Sequence, residues 1–484
     1  MSEDTALAAD PAGEAGGRPS AGQALAQSLD EAAERRAKSR NVGALRRLGP
    51  FIAAHWGDAT LSGLFLLVST SATLGLSGAV RLLIDRTHVN TAGLNSAFLL
   101  LGAVALALTT GAAARPAATL PPLPAHWPKT LQIGMADAPG GAAALRRSAP
   151  FGMRYQYLAG GVNTGQGWST WNPNGTFASM YVADSWAHGM LPVLTYYMLL
   201  QSKPGGGSEA DADLGNLRNP QTMAAYWQDV TLLFHRIHGS KPVVVHVEPD
   251  LWGYLEQANA VSLASAFAQK WIALRNELAP NVILAYHMSG WGTKHDIVYE
   301  KPPDATVEKY AAQSAAFYRS LHAHFDIAFE DFSDRDAGFY EKQEGNPNTW
   351  FKPADFQRHL LYAKTFVRLA GIRMVAWQIP LGNTLMRAMN DTWDHYQDNR
   401  VQWLLGAGSR ARLRQYVAAG FAGFLFGRGA DGATCACDAA NDGVTNPPPI
   451  DGNTRPSLSA DDDGGYFRAQ VRAYTRAGAL ALPR

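Results

Sequence analysis

The stretch Lys241-Pro-Val-Val-Val-His-Val-Glu-Pro-Asp-Leu-Trp-Gly-Tyr254 runs apolar and then delivers two carboxylates, Glu248 and Asp250, with an indole, Trp252, close behind. A second acidic set, Glu330, Asp331 and Asp334, follows another apolar run, Phe325–Phe329. Carboxyl groups held on two separate elements can work on one bond between them. One donates a proton, and the other attacks or activates water. The donor must stay protonated at the working pH, and burial beside Trp252 or Trp291 would raise its pKa in that direction. The plain alternative is a solvated acidic loop, or a carboxylate that pins a neighbouring loop.

Positioning such a pair needs a rigid frame. The apolar run before Glu248 has the pattern of a strand buried on both faces, as in a parallel sheet. Pro249 cannot donate to a sheet ladder, so the strand should stop there. Eight runs of this kind recur: Leu131–Ala136, Phe151–Leu158, Leu191–Leu199, Pro242–Val247, Asn281–Tyr286, Phe325–Phe329, Ile372–Ile379 and Gly423–Gly427. Helical patterns lie between them at Pro220–His238, Val261–Leu278, Ala305–Phe325 and Phe356–Leu369, with a closing helix near Tyr466–Ala479. Alternating strands and helices imply a parallel sheet, and eight units predict a (β/α)8 TIM-type barrel over residues 129–484. A doubly wound open sheet is the alternative, but no Gly-x-Gly-x-x-Gly follows the first strand.

A barrel gathers the residues just past its strands onto one rim. Asp137 follows the first strand; Tyr155, Tyr157 and Trp171 belong to the second, and Tyr197 to the third. His287 and Trp291 come from the fifth, Trp377 and Gln378 from the seventh, and Arg428 from the eighth. The repeated pairing of a carboxylate or amide with Trp or Tyr suits a sugar, whose C–H faces lie on aromatic rings. Hydrolysis of a glycosidic bond is the chemistry expected, with Glu248, Asp250, Glu330 and Asp331 as catalytic candidates. Asp137, Tyr155, Trp171, Tyr197, Trp252, His287, Trp291, Asp334, Trp377, Gln378 and Arg428 are the candidate substrate contacts. No cofactor is expected, and no metal, because neither Glu-x-x-His nor His-x-His spacing accompanies His287.

Composition agrees with this class. The 484 residues carry a net charge of +1 and only 17% charged residues, beside 13 Trp and 17 Tyr. That is stacking surface without the basic footprint of a nucleic-acid binder, so the expected partner is an oligo- or polysaccharide. Cys435 and Cys437 lie two apart and form no disulfide framework.

The barrel-like portion resembles barrel glycoside hydrolases, and in one respect the cellulases of glycoside hydrolase family 6. Val245-His-Val-Glu248-Pro-Asp250-Leu is similar to that family's Glu-Pro-Asp strand end, and Tyr286-His-Met-Ser-Gly-Trp-Gly292 to its following Gly-Trp segment. The family's catalytic acid comes from an Asp-rich motif after the preceding strand. The equivalent Thr195-Tyr-Tyr-Met-Leu-Leu-Gln201 has no aspartate. The common pairing of Asn-Glu-Pro on strand four with a glutamate on strand seven is not met either: Val247 precedes Glu248, and strand seven ends in Trp377-Gln378. The pair expected here is therefore Glu248 with a carboxylate of strand six.

The N-terminal portion differs in texture. Residues 1–45 read as a disordered cytoplasmic lead. Ala59–Val80 is a charge-free stretch of about 22 residues, long enough to cross a bilayer, and Ala97–Ala114 is a second candidate span. Arg35, Arg36, Lys38, Arg40, Arg46 and Arg47 precede the first span and place that flank in the cytoplasm. Residues 46–115 are thus expected to form a two-helix membrane segment in contact with a lipid bilayer. A Pro-rich linker, 116–128, follows. Leu45-Arg-Arg-Leu-Gly-Pro-Phe-Ile-Ala-Ala-His-Trp56, Val80-Arg-Leu-Leu-Ile-Asp-Arg86 and Ala97-Phe-Leu-Leu-Leu101 resemble the first two spans of a type-1 ABC exporter. The chain has no Gly-x-x-x-x-Gly-Lys-Ser/Thr phosphate loop to power transport. The expectation is a membrane-anchored glycosidase barrel; the alternatives are a non-catalytic sugar-binding barrel and an exporter fragment fused to a barrel. If both spans cross, the barrel returns to the cytoplasm; if one crosses, it lies outside.

Overall fold

The computed structural model describes residues 120–333, 335–385, 396–427 and 466–484. Eight parallel strands close into one barrel in chain order: β1 (Gln132–Ala136), β2 (Met153–Leu158), β3 (Leu191–Tyr196), β4 (Val243–Val247), β5 (Val282–Met288), β6 (Ile327–Asp331), β7 (Met374–Pro380) and β8 (Phe421–Gly427). Each coincides with one of the eight apolar runs. Every residue of β3, β4, β5, β7 and β8 is buried. Helices cover the outer face of a parallel barrel and side chains fill the inside, so a run with no polar alternation is what such a strand requires.

The helices fall close to their expected places. Pro220–Ile237 starts where the Asn219 side chain accepts the Thr222 N–H at 3.0 Å, with proline at the first helical position. Val261–Leu278 has the bounds its periodicity predicts. Asp304–Ser320 stops short of the expected Phe325 because His322 takes a φ of +48°, which no helix continues through. Pro353–Ala370 starts earlier than Phe356; Asp355 accepts the Lys352 N–H at 2.9 Å and Gly371 closes the far end at φ +73°.

The end of the barrel where the strands begin is sealed. Trp127 is buried and donates its indole N–H to the Ala422 carbonyl at 3.3 Å. Arg373, ahead of β7, donates from Nε to the Pro121 carbonyl at 2.6 Å, and Leu482 donates to the Lys129 carbonyl at 2.9 Å. Residues 120–128, expected as part of a linker, therefore pack on the barrel. The helix Tyr466–Arg476 seats Phe467 against Phe426, ring centroids 4.4 Å apart.

Register sets the interior layers. Thr195 on β3 stands beside His246 on β4, and His246 beside Ala285 on β5. The inward positions bring the His246 ring 4.6 Å from Phe329 and 4.7 Å from Trp377, between centroids. At Gly134 on β1 an added Cβ would lie 2.5 Å from the Met153 carbonyl oxygen and 2.8 Å from a Leu425 methyl. Gly134→Ala is therefore expected to destabilise the barrel by about 2 kcal/mol, read as a lower urea midpoint at unchanged slope.

Among the described residues no helix is long and apolar enough to cross a membrane. The stretches 59–80 and 97–114 and the lead 1–45 lie outside the described residues, as do Asp334, Arg428, Cys435 and Cys437.

Candidate active site

The strand ends do converge, but not with the pair expected. Glu248 has a φ of +41° and Asp250 of +65°, on either side of Pro249. The sign change breaks the period of two that carried His246 inward, and it turns the Glu248 carboxylate out through the wall. There it accepts the Met198 N–H at 3.2 Å and the Leu199 N–H at 3.3 Å. Burial raises its pKa to about 8, against the pull of the Met198 and Leu199 N–H groups, so it is protonated near neutrality. Glu248 pins the loop after β3; it is not in the mouth.

Asp250 is the acid of this stretch that faces the mouth. The Tyr197 hydroxyl lies 3.3 Å from its Oδ2 and 2.9 Å from Oε1 of Glu209. Opposite stands Asp331, the last residue of β6, with Oδ2 at 3.3 Å from Nε2 of His287. An oxygen of Asp250, a nitrogen of His287 and an oxygen of Asp331 all lie within 4.8 Å of one another. Non-glycine residues at positive φ are uncommon and gather at functional sites, and Gln378 at φ +49° is a third one on this rim.

Below the carboxylates runs a buried chain. His287 Nδ1 lies 3.0 Å from His246 Nε2, and His246 Nδ1 lies 3.4 Å from the Thr195 hydroxyl. Burial, and then the neighbouring His287, push the His246 pKa well below the usual histidine range. One set of tautomers serves every contact. Thr195 donates to His246 Nδ1 and His246 Nε2–H donates to His287 Nδ1, which leaves the His287 Nε2 proton on the side of Asp331.

Aromatic rings floor the mouth. Trp377 is buried, its ring centroid 6.0 Å from Tyr155 and 5.8 Å from Tyr157. Gln378 donates from Nε2 to the Tyr157 hydroxyl. Tyr157 in turn sits 6.3 Å from the Tyr197 ring.

The remaining candidates lie elsewhere. Glu330 points outward from β6 to Nε2 of His359, 2.9 Å away. Asp137 is bound by Arg154, which also reaches Asp184 at 2.9 Å, so it is a structural ion pair behind the wall. Trp252 is fully buried between helices, its N–H on the Val247 carbonyl at 2.8 Å, and cannot meet a substrate or raise a mouth carboxyl. Trp171 is exposed and packs edge-on against Phe177 at 4.9 Å. Trp291 lies against Tyr254 at 4.9 Å and lines a side cavity. Sequence reading passed over His246, Thr195, Glu209 and His359. For His246 a signal existed, since it is the one polar side chain in the otherwise apolar strand Val243–Val247.

No family model matches the chain, and no curated protein does. Nothing thus supports the exporter resemblance of residues 44–115. The solved structures it is similar to include glycoside hydrolase barrels. One is a Cellulomonas fimi endo-β-1,4-mannanase double mutant, at 11% identity, TM-score 0.45, over 73% of this chain and 72% of that one. Another is the exo-β-1,4-mannosidase Op5Man5 from Opitutaceae bacterium strain TAV5, at 11% identity, TM-score 0.43, over 74% and 62%. A third is the catalytic domain of Cellulomonas fimi Cel6B, at 13% identity, TM-score 0.35, over 72% and 95%. The barrel itself is established by its closed parallel strand pairing.

Proposed function

We propose that the barrel hydrolyses glycosidic bonds with Asp250 and Asp331 as its two carboxyl groups. The observation that carries this is their approach within 4.8 Å across an aromatic-floored mouth. Asp331, with His287 Nε2 3.3 Å from its Oδ2, is the nucleophile. Asp250 is the acid. The Tyr197 hydroxyl, which contacts both Asp250 and Glu209, sets the Asp250 carboxyl on the rim facing Asp331. A close pair of about 5–5.5 Å belongs to the retaining mechanism, whereas inverting pairs stand about 6.5–9.5 Å apart to admit a water. The substrate is an oligo- or polysaccharide.

The test is a hydrolysis screen of neutral glycans with the full chain, read by proton NMR of the first anomer released. Retention of configuration is expected; initial inversion would remove Asp331 as nucleophile. A second reading is favoured by one observation: the same three donors are close enough to hold a divalent ion. Two carboxylates and an imidazole suit zinc or manganese, and His246 behind His287 would orient the ligand. Dialysis against a chelator separates the two. Turnover that survives supports the carboxylate pair, and turnover lost and restored by zinc or manganese supports metal-assisted hydrolysis.

A further inference from the structure

Beside the carboxylate pair, the loops after β5 and β6 and the helix Pro353–Ala370 enclose a cavity of about 210 Å³, with Asp331 in its wall. Drug-sized ligands occupy roughly 300–1,000 Å³, so this space suits a single ring. Trp291 and Phe351 give it apolar faces. The polar groups are buried and incompletely paired. Glu330 is 2% exposed, with Oε1 at 2.9 Å from His359 Nε2. Arg400 is 1% exposed; its Nη1 is on Asp398, and its Nη2 donates to the Thr349 carbonyl at 3.3 Å. Its Nε has no hydrogen-bond partner among the described residues, and neither has His359 Nδ1.

Native interiors seldom leave such atoms unmatched, so both invite a ligand that accepts and donates. Hydroxyl groups do both, and the ring that carries them has C–H faces for Trp291 and Phe351. Asp296, Glu330 and Asp331 make the wall acidic, while Asp398 already compensates Arg400, so an anionic ligand is disfavoured.

We propose that this cavity binds one neutral sugar ring, with Arg400 Nε, His359 and Glu330 holding its hydroxyls. Its place next to the scissile bond rests on the glycosidase reading; the binding itself does not.

The test is titration of the full chain, followed by NMR, with D-glucose, D-mannose, D-galactose, D-xylose and D-glucuronate. At least one neutral sugar should saturate and glucuronate should not. Glu330→Gln and His359→Gln, each checked for an unchanged thermal midpoint, should weaken that sugar at least tenfold. Should either variant fail to fold, the other suffices. Asp250→Asn, outside the cavity, should bind as wild type does. Binding lost in the cavity variants, with no hydrolysis by any protein, would keep the subsite and sink the glycosidase reading. Hydrolysis with KM unchanged in both cavity variants would do the reverse. A site that takes none of the neutral sugars, or prefers glucuronate, overturns the proposal.

Discussion

Asp331→Asn should lose turnover by on the order of 10³-fold or more, with the thermal midpoint near that of wild type. The substitution keeps the shape of the side chain but removes the nucleophilic oxygen. Asp331 is only lightly exposed, at 15% for its side chain, yet it lies at the end of β6 facing the mouth, where an amide disturbs no core packing. Asp331→Ala leaves room for a small anion, so azide should restore turnover and give a glycosyl azide. Asp250→Asn should cost about 10²–10⁴-fold on natural linkages, the range of a general acid. The loss should shrink on aryl glycosides, whose leaving groups depart without protonation. Equal losses on both substrate types would take the acid role from Asp250. Full activity in Asp331→Asn would end the paired-carboxylate mechanism.

Glu248 should behave in the opposite way. Glu248→Gln resembles the protonated carboxyl that the fold holds, so turnover should stay within about twofold of wild type. Glu248→Ala strands the buried N–H groups of Met198 and Leu199 and should cost about 3 kcal/mol of stability in a urea titration. The pH dependence carries a sign. The folded pKa, about 8, lies above the ordinary 4.5, so the folded state holds the proton more tightly than the unfolded one. The stability it contributes is complete below about 4.5 and disappears as pH rises through 8. Buried Asp213, raised to about 9, and Glu256, raised to about 7, act in the same direction, burial being the leading cause for both. The wild-type midpoint should therefore fall between pH 5 and pH 9, and Glu248→Gln should flatten part of that fall. An equal slope in the variant, or a tenfold loss of its activity, would return Glu248 to the mouth.

Sequence alone determined the barrel. Eight strands write eight mainly apolar runs, and in β3, β4, β5, β7 and β8, buried throughout, the few polar residues, Thr195, His246, His287 and Gln378 among them, are ones the site uses. It also marked the rim, because chemistry past a strand's end must be polar, and Asp250, Asp331, His287, Tyr197 and Trp377 do meet there.

Which acid of each pair faces inward was decided by tertiary structure. At β6 the period of two sends Asp331 in and Glu330 out, a phase fixed only by pairing with β5 and β7. At β4 the backbone turns to positive φ at Glu248 and Asp250, and no residue type there announces it, since glycine is the usual occupant of that region and neither is glycine. Trp252 follows the same rule: an indole after a strand end serves the mouth or the helix layer equally well until the loop's direction is known, and here it is buried on the Val247 carbonyl. Residue types declare what chemistry is available; the strand phase and two backbone angles decide which of those groups meet.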